Sequence, residues 1–185
     1  MRNYDYIVQE REPEFDRSVL HRKLFPVNMR LFASSAPYRT HILGIISYME
    51  WVMSQTWEDY QSNPDGGTYG ISGANLGIPY NIIGFKVKGE GMRYMINPVI
   101  IEHSNDQGET KSNCGSIKLL AKIPVRRHRW VKVKFYDVNG IEREEKLTAK
   151  TGAYTVQHEI DHCLGILITD RYLKQGGDPT LLQGI

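Results

Sequence analysis

Residues 157–163 read Gln157-His158-Glu159-Ile160-Asp161-His162-Cys163. Within them, His158, Glu159 and His162 form the pattern H-E-x-x-H. On an α-helix, residues four apart lie on one face about one turn apart, so both imidazoles can point at one metal ion. The glutamate between them then lies beside the water at that ion. The pattern therefore predicts a helix that carries a divalent metal site, with Glu159 as the general base of a hydrolase.

A hydrolytic site of this kind needs a third protein ligand. Glu159 is the last glutamate in the chain, which excludes a glutamate ligand farther along. A third histidine in the longer pattern H-E-x-x-H-x-x-G-x-x-H would fall at Ile168, although the glycine of that pattern is present as Gly165. Cys163 lies about 100° around the helix from His162 and is interpreted as a buried core thiol. The third ligand is expected upstream, among Cys114, His21, His41, His103 and His128, with carboxylates as weaker candidates.

Two of these candidates have distinctive surroundings. His128 lies in the run Arg126-Arg127-His128-Arg129, a cationic setting that disfavours another cation. Cys114 lies in Ser112-Asn113-Cys114-Gly115-Ser116, a turn of small residues that can present a thiolate to a metal. An ordinary structural thiol fits the same turn, so the choice stays open at this point.

The composition fits one globular domain over residues 1–185 that lies in the cytoplasm. Hydrophobic residues make up 41% of the chain, and the net charge of +2 is too small to favour DNA or RNA as a partner. Two cysteines are too few for a disulfide framework and favour a reducing compartment. Residues 1–16 are rich in acidic side chains, unlike a signal or transit peptide. No segment approaches the roughly 20 apolar residues of a membrane span.

Hydrophobic spacing predicts one helix in the first third of the chain and strands after it. Residues 1–38 are polar and rich in proline, which predicts an irregular surface segment. Apolar residues recur at helical spacing from about residue 39 to residue 60, and residues 61–67 have the composition of a loop. Strands are expected at residues 81–88, 93–102 and 130–137.

The second half of the chain is expected to end in a hairpin and a helix. Asn139-Gly140 predicts a hairpin turn that leads into a polar strand at residues 142–146. A last helix is expected from Thr151, as its N-cap, to about Leu164, with Gly165 at its C-terminal end. This order indicates an α+β fold with a largely antiparallel sheet.

Three blocks of the sequence occur in the order of a known enzyme family. The family pattern G-x-G-h-A-x-x-Q, in which h is apolar, corresponds to Thr68-Tyr69-Gly70-Ile71-Ser72-Gly73-Ala74-Asn75. The pattern E-G-C-L-S corresponds to residues 112–116, and H-E-x-D-H is intact at residues 158–162. The chain thus resembles the peptide deformylases, metalloenzymes that remove the N-formyl group from nascent polypeptides, from about residue 40 to residue 172.

The resemblance implies a fold in which mixed, largely antiparallel sheets pack around a central helix that carries H-E-x-x-H. It implies a metal held by Cys114, His158 and His162 with water in the fourth position. The native metal of this family is usually Fe²⁺, and Zn²⁺ or Ni²⁺ can occupy the same site. Glu159 would be the general base.

The resemblance also implies how the substrate is held. The backbone N–H of Gly115 and the side-chain amide of Asn75 would donate to the formyl oxygen. Backbone groups of Gly70 and Ile71 would pair with an extended N-formylated peptide, although a Gly-rich turn that serves only the fold explains the same residues.

The chain departs from the family around the metal ligands. Asn75 replaces glutamine, Ser112 replaces glutamate and Gly115 replaces leucine, while Arg126 retains the usual partner of that glutamate. Asparagine is one methylene shorter than glutamine, which withdraws its amide by roughly 1.5 Å and can cost about 10²-fold in rate. These changes keep two alternatives open: a related amidase that acts on another N-acyl substrate, and a peptide-binding relative without turnover.

The basic run at residues 126–129, together with Lys132 and Lys134, has two interpretations. It could contact ribosomal RNA during a transient association with the ribosome. The alternation of Val131, Val133 and Phe135 with these lysines instead favours a half-buried strand with a charged solvent face. No DNA and no membrane is expected as a partner.

Overall fold

The structure is a computed structural model that describes residues 20–61, 68–87, 89–112, 114–117 and 122–182. Along these ranges the helices are α1 (Met29–Ser34), α2 (Ala36–Gln61), α3 (Ala153–Cys163) and α4 (Ile168–Lys174). The strands are β1 (Thr68–Ser72), β2 (Ile82–Val87), β3 (Met92–His103), β4 (Gln107–Ser112), β5 (Ile123–His128), β6 (Trp130–Tyr136) and β7 (Glu142–Thr148). Short 3-10 turns occur at Ala74–Leu76, Ala149–Thr151 and Pro179–Leu182.

The strands form two antiparallel sheets. Five strands pair in the order β1-β2-β3-β6-β7, and β4 pairs with β5. Within the described residues, β1 and β7 are the two edges of the larger sheet. The expected α+β fold with largely antiparallel sheets is confirmed.

Helices cover both faces of the five-stranded sheet. Side chains on a strand alternate between faces, and Ile82 and Ile83 of β2 are accordingly both buried but belong to different cores. One core holds the apolar face of α2, and the other holds α3 together with β5 of the smaller sheet. Because α3 contacts strands of both sheets, it lies where the two sheets meet.

Most of the expected elements are present close to their expected positions. α2 corresponds to the helix expected at residues 39–60, and β2, β3, β6 and β7 correspond to the expected strands. The hairpin between β6 and β7 is also present, with a five-residue connection at residues 137–141. Asp137 Oδ1 accepts hydrogen bonds from the N–H groups of Asn139 and Ile141, and Gly140 takes a φ of 78°.

Three local predictions are wrong. Residues 29–34 are helical rather than irregular, because Asn28 caps α1 and Phe32 of α1 is buried. The helix expected as the last one is α3, but α4 follows it. Thr151 does not cap α3. Its hydroxyl accepts the N–H of Thr148 inside a 3-10 turn, and α3 begins only after Gly152, whose φ of 96° lies in the left-handed region.

The strand face at residues 130–136 is charged and paired. Val131, Val133 and Phe135 are buried, while Lys132 and Lys134 lie 2.7 and 2.8 Å from carboxylates of β7. This confirms the half-buried strand with a charged solvent face.

Some expectations lie outside the described residues, namely those for residues 1–19 and for residues 62–67 of the loop expected at 61–67, while Gln61 is the last residue of α2. Within the described ranges, no helix has both the length and the apolar character that a bilayer crossing requires.

Two glycines provide a matched test of where the backbone requires a residue without a Cβ atom. Gly165 ends α3 with a φ of 74°, and a Cβ there would lie 2.4 Å from the backbone oxygen of His21. Gly44 lies within α2 with open space around it. We expect Gly165→Ala to lower the free energy of unfolding by at least roughly 1–3 kcal/mol. Gly44→Ala should instead raise it by about 0.5–1 kcal/mol, since alanine favours the helix.

Denaturant unfolding followed by circular dichroism measures both changes. Equal free energies of unfolding for the two variants would contradict the role given to Gly165.

Candidate metal centre

Helix α3 places three side chains of the H-E-x-x-H pattern beside one another. The Nε2 atoms of His158 and His162 lie 3.2 Å apart. Glu159 is buried beside them, and its Oε2 lacks a hydrogen-bond partner among the described residues. The sequence favours this arrangement because the i, i+4 spacing puts both imidazoles on one face of the helix.

Cys114 completes a cluster with the two histidines. It lies in the turn between β4 and β5, where the N–H of Ile117 donates to its backbone carbonyl. Its Sγ is 3.2 Å from Nε2 of His162. The ligand atoms of Cys114, His158 and His162 all lie within 4.8 Å of one another.

This donor set fits a divalent metal. Tetrahedral coordination with metal–nitrogen distances of about 2.0–2.1 Å places two nitrogen ligands about 3.3–3.4 Å apart. The observed 3.2 Å between the two Nε2 atoms is close to that value. One thiolate and two imidazoles suit iron or zinc in ligand softness.

Burial favours the uncharged form of every titratable group in the cluster. It lowers the pKa of His162 to about 4 and that of His158 well below its usual value, so both imidazoles keep a free lone pair. It raises the pKa of the Cys114 thiol to about 12 and that of the Glu159 carboxyl to about 8. A bound cation favours the anionic forms of the thiol and the carboxyl, and its binding releases protons.

A buried ion pair lies next to the candidate metal ligands and stabilises the helix that carries two of them. Arg127 NH1 donates to Asp161 Oδ2 at 2.8 Å, and both side chains are only 4% exposed. Arg171 of α4 donates to the same carboxylate through Nε at 2.9 Å and through NH2. Arg127 NH2 also lies 3.3 Å from Nδ1 of His158. The carboxylate therefore joins α3, β5 and α4 next to the candidate ligands.

Gln157 fixes α3 against the end of β5. Its Nε2 donates to the carbonyl of His128 at 2.8 Å, and its Oε1 accepts the N–H of His128 at 3.0 Å. This pair of hydrogen bonds mimics a strand pairing and holds the helix in register with the smaller sheet.

Asn75 is buried and hydrogen-bonded to two serines. Its Oδ1 accepts hydrogen bonds from the N–H and the hydroxyl of Ser72, and its Nδ2 donates to Ser116 Oγ. An amide nitrogen carries two protons, so one remains for another acceptor. The role of Asn75 toward a formyl oxygen stays a prediction.

The residues expected to bind substrate lie around the same cluster. Gly70 of β1 comes so close to α3 that a Cβ would lie 2.6 Å from Oε1 of Glu159. Ile71 buries its side chain in the core that contains α2, while β1 itself is a sheet edge within the described residues. Gly115 is exposed, although Cys114 before it and Ser116 after it are buried. The roles given to Gly70, Ile71 and Gly115 also stay predictions.

The other upstream candidates lie elsewhere. The His103 and His128 rings stack with centroids 3.8 Å apart, His41 packs edge-on against Tyr80, and His21 faces Asp170. Arg126 does not pair with Ser112; it donates to the backbone carbonyl of Gln175.

Sequence reasoning missed Arg127, Asp161 and Ser116 as parts of the site. Arg127 belongs to the basic run at residues 126–129, yet it lies on the inward face of β5 together with Ile123 and Val125. Alternation along that strand would have placed it inside. Its partner Asp161 lies three residues after His158, on the same face of helix α3, so helical spacing would have placed it near the site.

Comparison with known proteins gives a consistent family. The polypeptide deformylase family model matches residues 16–177. Peptide deformylase 1 of Clostridium perfringens is 37% identical over 106 residues, which span 56% of this chain and 69% of that protein. The peptide deformylase of Thermoanaerobacter pseudethanolicus is 30% identical over 160 residues, which span 84% of each chain.

Solved structures show the same fold. A class I type b peptide deformylase from Acinetobacter baumannii superposes with a TM-score of 0.70 at 23% identity, covering 90% of this chain and 97% of that one. The Thermotoga maritima peptide deformylase gives a TM-score of 0.66 at 24% identity, covering 89% and 95%. From the family match and the relative that spans 84% of it, this chain belongs to the polypeptide deformylase family.

Proposed function

We propose that this chain removes the N-formyl group from the N-terminal methionine of nascent polypeptides and releases formate. The observation that carries the proposal is the convergence of Cys114, His158 and His162, two of them buried and His158 partly buried, beside the buried Glu159 in a chain of the polypeptide deformylase family. The reaction is the hydrolysis of a linear amide by a metal-dependent enzyme.

Cys114, His158 and His162 would hold one divalent ion, with Fe²⁺ as the native metal and Zn²⁺ or Ni²⁺ as alternatives. Their ligand atoms already lie within 4.8 Å of one another. When bound, the ion supplies Lewis-acid chemistry, which eases deprotonation of water and polarises the formyl oxygen.

Glu159 would move the proton. Its Oε2 has no hydrogen-bond partner among the described residues, so it can accept the proton of the attacking water. It then delivers that proton to the departing amine. The Gly115 N–H and the remaining Asn75 Nδ2 proton would donate to the oxygen on which negative charge develops.

Gly70 and Ile71 would bind the peptide through their backbone. They belong to β1, which is an edge strand within the described residues, and an edge strand can pair with an extended peptide. Since Gly70 also lies against Glu159, such a peptide would lie next to the general base.

The wider context is also proposed. Residues 1–185 would act as one catalytic domain in the cytoplasm, where the free thiols Cys114 and Cys163 stay reduced. A transient association with the ribosome would bring it to its substrate.

The first prediction from this site concerns Glu159. The protein, purified anaerobically, should release formate from formyl-Met-Ala-Ser. Glu159→Gln should keep the metal and lower kcat by roughly 10²–10⁴-fold, because the variant cannot take up the proton. Glu102→Gln, on an exposed strand end, is the matched control and should leave kcat unchanged.

Two results would each contradict a different part of the proposal. Metal bound without any formate release would remove the formyl-methionyl substrate and leave an amidase or a peptide binder. Full activity of Glu159→Gln would remove its role as general base.

A second prediction separates the two buried cysteines. Cys114→Ala should lose most of its bound metal, whereas Cys163→Ala should keep about one equivalent, because one thiolate and two imidazoles form the site. Elemental analysis of the purified proteins measures both. Metal retained by Cys114→Ala at the level of the unsubstituted protein would require another ligand.

A further inference from the structure

The candidate metal ligands come from two separate parts of the fold. Cys114 lies in the turn of the β4–β5 hairpin, whereas His158 and His162 lie on α3. The distances between them therefore depend on how the hairpin is held against the helix. α4 packs beside both parts, because its buried side chains Ile168 and Tyr172 belong to the same core as the apolar residues of β5 and α3.

One contact of α4 is the ion pair between Arg171 and Asp161. Arg171 Nε donates to Asp161 Oδ2 at 2.9 Å, and its NH2 group donates to Oδ1. Two parallel hydrogen bonds between a guanidinium and a carboxylate fix both distance and orientation. Since Asp161 lies between the two histidines in the sequence of α3, this pair fixes α4 relative to the helix that carries them.

A second contact joins Gln175 to the backbone of β5. Gln175 Oε1 accepts the N–H of Arg126 at 2.8 Å, and Gln175 Nε2 donates to the carbonyl of Arg126 at 2.8 Å. The backbone N–H can only donate, so the orientation of the side-chain amide is fixed. An adjoining antiparallel strand would make the same two bonds, and Gln175 thus takes the place of a strand beside β5.

The two contacts lie on one turn of α4. Arg171 and Gln175 are four residues apart in sequence, and the N–H of Gln175 donates to the carbonyl of Arg171 at 3.1 Å. This helical bond places both side chains on the same face of α4. A single turn therefore spans from Asp161 on α3 to Arg126 on the hairpin strand β5.

We infer that Arg171 and Gln175 are positioning residues that together form a clip between α3 and the β4–β5 hairpin, and thereby set the position of Cys114 relative to the two histidines. This inference rests on the ligand roles given to these three residues in the proposed function. Metal–ligand distances tolerate deviations of only about 0.2 Å. Because both histidines move with α3, a loosened clip displaces the sulfur and leaves the two imidazoles together.

The test uses the full chain loaded with Co²⁺, whose thiolate charge-transfer absorption reports on its bond to sulfur. Gln175→Met and Arg171→Met should each weaken this band and raise the Kd for Co²⁺ on the order of 10-fold. Gln175→Glu keeps the acceptor but loses the donor, so its Kd should lie between those of the unsubstituted protein and Gln175→Met. Gln55→Met is the matched control. This exposed glutamine of α2 donates to Ser54 Oγ, and its replacement should leave the band and the Kd unchanged.

A double variant tests whether the two residues act as one clip. Because breaking either end releases the hairpin, Arg171→Met should add little to the Kd of the Gln175→Met protein. Should Arg171→Met fail to fold, Arg171→Lys replaces it, since lysine keeps the charge but loses the paired donors. Additive effects of the two substitutions would overturn the inference.

The Kd is measured where circular dichroism shows each variant to be folded. A purely structural role would lower the free energy of unfolding and leave the band and the Kd of the folded protein unchanged. That result would also overturn the inference.

The cobalt measurement needs no substrate, so this inference and the proposed function can fail separately. Weakened thiolate bands in the variants of a protein that releases no formate would support the clip while removing the reaction. Formate release together with an unchanged band in both variants would keep the reaction and overturn the clip. A Co²⁺ protein without any thiolate band would overturn the clip, since Cys114 would then not be a ligand.

Discussion

The carboxylate of Asp161 joins three elements of the fold beneath the candidate ligands. A buried charge is stable only when it is paired and hydrogen-bonded. Arg127 supplies that pairing from β5, and Arg171 supplies it from α4. Because Asp161 is fixed between them, the rotation of α3 about its axis is fixed as well. This fixed rotation also sets the direction in which the side chains of His158 and His162, one turn apart on α3, point.

The same burial decides the chemistry of the cluster. It favours neutral imidazoles, a neutral thiol and a neutral carboxyl, as the directions of their pKa shifts indicate. A bound cation reverses that preference for the Cys114 sulfur and for the Glu159 carboxyl, because its positive charge stabilises their anionic forms where water is excluded.

The sequence predicted the parts of this molecule that depend on local spacing. The i, i+4 histidines, the long amphipathic helix and the hairpin at Asn139-Gly140 are all short-range patterns, and the structure contains each of them. Cys114 could be singled out only through family resemblance, because spacing left five upstream candidates. Its place beside His162 depends on a contact across 48 residues.

What escaped prediction has a common physical origin. The burial of Arg127 and the hydrogen bonds that link Ser72 to Ser116 through Asn75 depend on partners far away in sequence, which composition does not record. α1 is only six residues long and buries one side chain, Phe32, so it is too short to show a helical period in the sequence. Thr151 has the right residue type for a helix cap, but the αL turn at Gly152 moves the start of α3 beyond it.

The two edge strands of the five-stranded sheet differ in the charge of their side chains. The β7 edge reads Glu-Arg-Glu-Glu-Lys-Leu-Thr, and charged side chains along an edge discourage pairing with another strand. The β1 edge reads Thr-Tyr-Gly-Ile-Ser and carries no charge. Among the described residues, charge therefore disfavours an added strand at the β7 edge and not at the β1 edge. Growth of the sheet by one more strand is thus favoured on the side of β1, the strand that packs against α3.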